Sequence, residues 1–491
     1  MNIYKTSVVV FFLIALGKLS GFLKDVVLTF FHGVSPVTDA FFLANSISSV
    51  LYMAVFLSIP IIVIPYATRN QGSISSEYVE GVSRMFVTYI GISLVFSIFI
   101  VLYSSELVGL FSGGVDSITK DRTSHYLIIM SATFIFSAAV GFFNSLQLAD
   151  KNIIPSYLTP VVNNLIFCIG IVIFNDRDEF YVVLILGVVS WIILMLANIK
   201  SVKCKFGFGF IGGSSRADYK ALFLIMLPAI FTLYIDQVNS VLSIFFAAKI
   251  GDGYVTIMNY GNKLNGVFLS VFLVILTTII YPKLSEKVSK GDQAGLVGVL
   301  SGYINIFIIF GVPVAVVMSG FSEELVSVIF ERGAFDHQAV LNVSEVFGVL
   351  IFGLVLNVIR DLLNRVLFAY KKTSVVLYLS LTSVLVNFIL SYLWFEEFLL
   401  VGLAYAGIIS LLLNIIILVY VSDRILMISV YKVIGRALVL FSIGSIGGAI
   451  CFYVMDVFDF DKNIQYISSI AFYSAFIYGM YLMDKQWKKK S

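Results

Sequence analysis

Charge is what this chain is short of. Only 12% of its 491 residues are Asp, Glu, Lys or Arg, while 59% are hydrophobic. Soluble domains carry about a quarter charged residues, so an ordinary soluble domain is excluded. Cysteine is scarce as well. Cys168, Cys204 and Cys451 are scattered, two in apolar stretches and one in a loop. They have neither the pairing of a disulfide framework nor zinc-site spacing, and read as small apolar fillers. The three histidines, His32, His125 and His337, also lack metal-ligand spacing and read as surface residues at loops. No glycine-rich nucleotide loop of the G-x-x-x-x-G-K-[ST] kind occurs, which argues against ATP hydrolysis by this chain. MNIYKTS runs straight into an apolar stretch too long for a signal-peptide core, so this segment is expected to stay attached.

What is present is a series of long apolar runs. About 20 residues cross a bilayer, and fourteen spans are expected, the first near 6–31 and the last near 464–483. Each should be a helix, because lipid offers the backbone no hydrogen-bond partner. The fold class is therefore an all-α membrane protein. With the N-terminus in the cytoplasm, 21 of the 32 Lys and Arg residues fall in cytoplasmic segments and 6 on the opposite side. That bias predicts both termini in the cytoplasm.

The most basic loop, KSVKCKFGFGFIGGSSRADYK (200–220), follows the sixth span and divides the first twelve spans into two sets of six. The expected organisation is an N-terminal lobe at 1–200, a cytoplasmic linker at 201–218, and a second lobe at 219–421. Two further spans and a basic cytoplasmic tail follow at 422–491. GFFNSLQLADKN (141–152) and DLLNRVLFAYKK (361–372) align without gaps, matching Asn144 with Asn364, Ala149 with Ala369 and Lys151 with Lys371. Both join the fourth and fifth spans of their own half, which points to a duplication. Six spans per repeat is even, so the repeats run parallel, a recurrent transporter plan.

Several charges stand inside the spans, where each costs at least about 2.5 kcal/mol at mid-bilayer. The first span holds Lys18, Lys24 and Asp25. Lys18 and Asp25, seven apart, share a helix face, and Lys24 lies off it. Gly17 and Gly21 form a small-xxx-small step that suits close helix packing. Asp236 and Lys263, in the seventh and eighth spans, could pair across neighbouring helices. Arg360, Asp361 and Arg365 lie in the last turns of the tenth. Asp361 and Arg365, four apart, can pair, and Arg365 can reach the interface. Asp39, just inside the second span, reads equally as a structural helix N-cap or dipole partner and as a site residue. Five of these residues are cations, against the acids Asp25, Asp236 and Asp361. A cavity so lined attracts an anion such as phosphate or pyrophosphate. An exporter of cationic drugs would need acid-dominated cavities, and in a non-transporting scaffold the same charges would be structural.

The stretches GKLSGFLKDVVLTFFHGVSPVTDAFFLAN (17–45), FNSLQLADKNIIPSYLTPVVNNL (143–165), YGNKLNGVFLSVF (260–272), YPKLSE (281–286) and FERGAFD (330–336) resemble the MurJ (MviN) family of lipid II flippases. That family belongs to the multidrug/oligosaccharidyl-lipid/polysaccharide (MOP) exporter superfamily. The resemblance implies a V-shaped, MATE-like fold of about fourteen transmembrane helices, with two six-helix lobes and two extra C-terminal helices. It implies a transporter rather than an enzyme. Lipid II, a disaccharide-pentapeptide on undecaprenyl pyrophosphate, would pass from the inner to the outer leaflet of the bacterial cytoplasmic membrane by alternating access.

By position, the family's cavity arginines correspond to Lys18, Lys24 and Lys263, with Asp25 and Asp39 at its acid positions. A fourth arginine corresponds to Tyr52. Lysine keeps the charge but loses the two-pronged guanidinium fork. The family's sodium ligands fall at Ser243, Asn387 and Ser391, where only the asparagine remains. The resemblance thus implies no cofactor and argues against sodium there, leaving coupling to protons or membrane potential. The implied partners are lipid II or a related undecaprenyl-pyrophosphate glycan, membrane lipids and cell-wall synthesis proteins, and no nucleic acid. The alternative is a Wzx-type flippase for an O-antigen or exopolysaccharide unit.

Overall fold

The computed structural model describes residues 3–69, 76–176, 178–206, 219–426 and 431–457. The described residues form helices joined by short turns, with no strand among them. In chain order the first are α1 (Ile3–His32), α2 (Pro36–Arg69), α3 (Ser76–Phe111), α4 (Ser117–Ser131), α5 (Thr133–Ala149), α6 (Ile154–Ile173), α7 (Phe180–Phe206) and α8 (Tyr219–Ile250). There follow α9 (Tyr254–Ile275), a π-helical turn (Leu276–Ile280), α10 (Tyr281–Ser289), α11 (Gln293–Gly320), α12 (Ser322–Phe330), α13 (His337–Leu350) and α14 (Gly353–Ala369). The last are α15 (Thr373–Trp394), α16 (Leu399–Leu426) and α17 (Tyr431–Val457).

Nine helical segments among the described residues are long and apolar enough to cross a membrane, with α4–α5 and α13–α14 each counting as one. The expected span at 464–483 lies outside the described residues, as does the middle of the basic linker, 207–218. The linker's first residues continue α7 to Phe206, so Cys204 stands on a helix and not in a loop. One histidine also departs from expectation. His32 is buried at the end of α1, its ring edge-on to Phe180 with centroids 5.0 Å apart. The helix end carries it inward, and the flat ring fills space among aromatics.

The internal repeat is written in backbone conformation. α5 and α14 have 17 residues each and begin and end 220 positions apart. Asp116 accepts from the Thr119 N–H at 2.7 Å ahead of α4, and Asp336 accepts from the Ala339 N–H at 2.8 Å ahead of α13. Both fourth spans end in the same way. The Lys151 N–H donates to the Leu148 carbonyl and the Asn152 N–H to the Gln147 carbonyl. Lys371 and Lys372 repeat these bonds to Phe368 and Leu367. This is the Schellman closure, which places the residue past the cap in the left-handed region. Lys151 (φ 61°) and Lys371 (φ 59°) both adopt it without being glycine. A shared non-glycine solution at matched positions is far more specific than three sequence identities.

The chain clusters into two compact units. One is Met1–Thr256 with Ile329–Ala339, and the other is Ile257–Val328 with Val340–Ser491. Helices in lipid gain little from apolar burial, so contact depends on close packing and polar pairs. In the first unit, Gly17 and Gly21 bring α1 against Pro160 and Asn164 of α6, and Asn164 donates to Ser20 Oγ at 3.1 Å. Asn144 bonds Thr159 at 3.0 Å and Gln147 bonds Asn198 at 2.8 Å, tying α5 to α6 and α7. The loop 330–336 packs on the end of α1, where the Ala334 N–H donates to the Phe30 carbonyl at 2.8 Å. In the second unit, Asn414 of α16 donates to the Leu379 carbonyl of α15 at 2.7 Å. Gly311 of α11 lies so near Val355 of α14 that a Cβ would stand 2.7 Å from its methyl.

Candidate functional site

Of Lys18 and Lys24, it is Lys24 that lines a described cavity of the first unit. Two turns of α1 beyond Gly17, its ammonium stands 5.5 Å from the Phe167 ring centroid on α6. It opens into a space of about 320 Å³ between α1, α2, α4, α5, α6 and α7. The wall is mixed. Asn45, Ser48, Ser49, Thr133, Ser137 and Asn163 present amides and hydroxyls, while Phe41, Tyr52, Phe134, Phe167 and Trp191 present rings. Lys24 is the one charged residue among those lining it. An ammonium here offers three donors to an anion's oxygens, and the surrounding rings and apolar side chains reduce its competition with water.

Tyr52 is fixed in this wall. Its ring stacks on Phe134 at 4.1 Å with an interplanar angle of 3°, and its hydroxyl donates to the Phe134 carbonyl at 2.6 Å. Ser93 and Ser137 hydroxyls lie 3.3 and 3.5 Å from the same oxygen. The position implied for a fourth cation is thus a neutral, fully engaged brace between α2 and α5. Asn163 is oriented by its bond to Ser190 at 2.6 Å.

Lys18, by contrast, is exposed on α1 and does not line this cavity, and Asp25 is half-buried and does not line it either. Asp39 is fully buried in the first turn of α2. Its carboxylate accepts from the Gly253 N–H, from the Thr256 N–H at 2.8 Å and from the Thr256 hydroxyl at 2.5 Å. The Gly253 N–H just ahead of α9 and the Thr256 N–H in its first turn are open backbone donors at a helix start, whose positive dipole end suits an anion. Asp39 therefore ties two helix starts together, and each of these bonds goes to another part of the protein.

In the second unit, Lys263 is half-buried with its ammonium 5.5 Å from the Tyr260 ring centroid. Asp361 and Arg365 pair along α14, with Arg365 Nε and an Nη each 3.1 Å from Oδ2. The same guanidinium lies 5.5 Å from the Tyr281 ring centroid, so Arg365 joins α14 to α10. Arg360 is half-buried on that helix. Asn387 is buried on α15 and accepts from its own-helix neighbour Ser391 at 3.2 Å. Ser243 donates to the Ser240 carbonyl at 3.3 Å. Among the described residues no group of three or more His, Cys, Asp or Glu could hold a metal. Asp236 sits on α8, and its side chain lies outside the described residues.

Charge patterning alone misses the neutral half of the cavity. Asn45, Asn163 and Trp191 carry no charge, although an asparagine or tryptophan in an apolar span is itself a signal. An amide needs a partner in lipid, and an indole N–H needs one too.

Among the described residues all elements are helical, nine segments are of membrane-crossing length and a polar cavity lies among the helices of the first unit, which defines a multi-span helical membrane protein. A multidrug-resistance MATE family transporter of the MOP superfamily in its inward-facing conformation superposes with a TM-score of 0.66 over 90% of this chain and 95% of its own, at 13% identity. The structure titled "Lipid II flippase MurJ, inward closed conformation" superposes with a TM-score of 0.77 over 96% of this chain and 97% of its own, at 20% identity. The family described as "Lipid II flippase MurJ" matches residues 29–477, and the chain belongs to it. A relative from Synechocystis sp., "Probable lipid II flippase MurJ", is 23% identical over 441 residues, covering 83% of this chain and 79% of its own.

Proposed function

We propose that this protein is a lipid II flippase of the bacterial cytoplasmic membrane. It moves the undecaprenyl-pyrophosphate-linked precursor from the inner to the outer leaflet by alternating access, with both termini in the cytoplasm. The observation that carries the reading is Lys24 in its polar, ring-lined cavity. Family membership supports the substrate.

Lys24 supplies the charge that holds the pyrophosphate. Asn45, Ser48 and Asn163 donate to phosphate or sugar oxygens, and Trp191 offers a flat face to a pyranose ring. Lys18 and Lys263 supply further positive charge along the path, with Asp25 moderating it. Because lysine is a point charge without a fork, the headgroup is held by charge more than by fixed geometry, which suits a cargo that must be released. The two sets of six helices act as the two lobes of the transport cycle, and the backbone repeat at Lys151 and Lys371 supports that division. No cofactor is needed for this role. Cell-wall synthesis proteins that make or consume the precursor are the partners it would serve.

The test is rescue of cells depleted of their own lipid II flippase, with lipid II exposure on the outer leaflet scored directly. Wild-type protein should rescue, and Lys24→Ala at equal membrane level should not. Failure of the wild type despite good membrane insertion would move the substrate to another prenyl-linked glycan.

A further inference from the structure

The second unit holds a cavity that the lipid II reading leaves without a role. It measures about 390 Å³ and lies among α11, α12, α13, the turn before α14, and α16. Glu345 stands in its wall with Ser319, Ser322, Phe352 and Tyr405. Glu345 lies nine residues beyond Asp336, the cap of α13, or about 13 Å along the helix axis. It is therefore a carboxylate inside a segment of membrane-crossing length. Its side chain is exposed and enters none of the ion pairs formed among the described residues, and a carboxylate that faces lipid without a partner is costly.

The surroundings choose the sign and the size of what would offset that cost. Gly348, one turn after Glu345, leaves a gap in which an added Cβ would sit 3.4 Å from both Ser319 Oγ and Ser322 Oγ, and 3.6 Å from the Ser319 carbonyl oxygen. That carbonyl belongs to the last turn of α11, the negative end of its dipole. Glu345 and the two serines line one cavity with no basic residue in its wall, and Glu323 and Glu324 in the first turn of α12 offset the positive dipole end that begins at Ser322. With the one charged group of the wall negative, a cation is favoured there. A bare metal ion fits poorly, because hard cations need several oxygens at about 2.3–2.6 Å and the space exceeds one ion many-fold. A primary ammonium fits. It donates three hydrogen bonds, enough for Glu345 and both serines, and Phe352 and Tyr405 give it ring faces. Val349 and Ile408 line the remainder and suit a short alkyl arm.

We infer that the Glu345 cavity is a binding site for a primary ammonium group on a short carbon chain. The group comes either from an aminophospholipid headgroup or from a soluble amine. The inference is independent of Lys24 and of lipid II.

The full-length protein in detergent is titrated with ethanolammonium chloride, against sodium chloride at matched ionic strength, and its unfolding temperature is followed. In parallel, native mass spectrometry measures retention of phosphatidylethanolamine against phosphatidylglycerol. Stabilisation by ethanolammonium alone identifies a soluble amine. Preferential retention of phosphatidylethanolamine identifies a lipid headgroup. In either case Glu345→Gln, which keeps the shape, should weaken binding at least about tenfold, and Gly348→Leu, which fills the gap, should abolish it. Should Glu345→Gln fail to fold, Ser322→Val is read in its place with a smaller loss. The inference is overturned if neither probe binds the wild type, if sodium stabilises equally, or if the variants bind as the wild type does.

Discussion

The carboxylate of Asp39 accepts both the backbone N–H and the hydroxyl of Thr256, so the first turn of α2 holds the first turn of α9. The pair is fully buried, and Thr38 Oγ1 adds a contact to the same threonine hydroxyl at 3.0 Å. Asp39→Asn replaces an all-acceptor group by one that must also donate. The cost should be about 2 kcal/mol, with Thr256→Val costing about 1 kcal/mol. Thermal unfolding of purified protein would show both. Because the residues touch, the double variant should lose less than the sum of the two losses.

Lys24 and Tyr52 line one cavity but should fail differently. Lys24→Met keeps a chain of similar length and removes the charge, so transport should fall at least about tenfold with little change in melting temperature. Tyr52→Phe removes one donor from the Phe134 carbonyl, which keeps the Ser137 hydroxyl at 3.1 Å, and should cost about 1 kcal/mol of stability while leaving transport per folded molecule near normal. Measuring lipid II exposure and unfolding temperature on the same preparations separates them.

Gly33 and Gly333 are locked against each other's neighbours. A Cβ on Gly33 would run into the Ala334 carbonyl, and one on Gly333 into the Phe30 carbonyl. Both glycines also hold positive φ, 53° and 61°. Gly333→Ala should therefore cost at least about 2 kcal/mol, from left-handed strain together with displaced backbone. Lower membrane yield and a lower unfolding temperature are the readouts.

Lys151 and Lys371 carry the opposite expectation. Each holds at some cost a left-handed conformation that glycine adopts freely. Lys151→Gly and Lys371→Gly should each raise stability by about 1 kcal/mol, and because they lie in different units the gains should add. A melting temperature unchanged in both would mean that the lysine side chains contribute contacts worth as much as the strain.

The sequence by itself determined the class. Its poverty in charge and its long apolar runs leave only membrane-crossing helices, because lipid offers the backbone no partner. A few local relations were legible too, wherever residues close in sequence must meet. These are the pairing of Asp361 with Arg365, the close packing at Gly17 and Gly21, and the repeat seen through Asn144 and Asn364. Tertiary structure alone decided which charges share a cavity. Lys18 and Lys24 lie less than two turns apart on α1, yet only Lys24 enters the described cavity, because helix rotation is set by packing on α6. It also decided that Asp39 serves a helix start some two hundred residues away. The same holds for the burial of His32 and for the carboxylate of Glu345 sharing a cavity with two serines. Periodicity tells which face a residue takes on its own helix, whereas its neighbour across the gap depends on contacts between distant segments that no local pattern encodes.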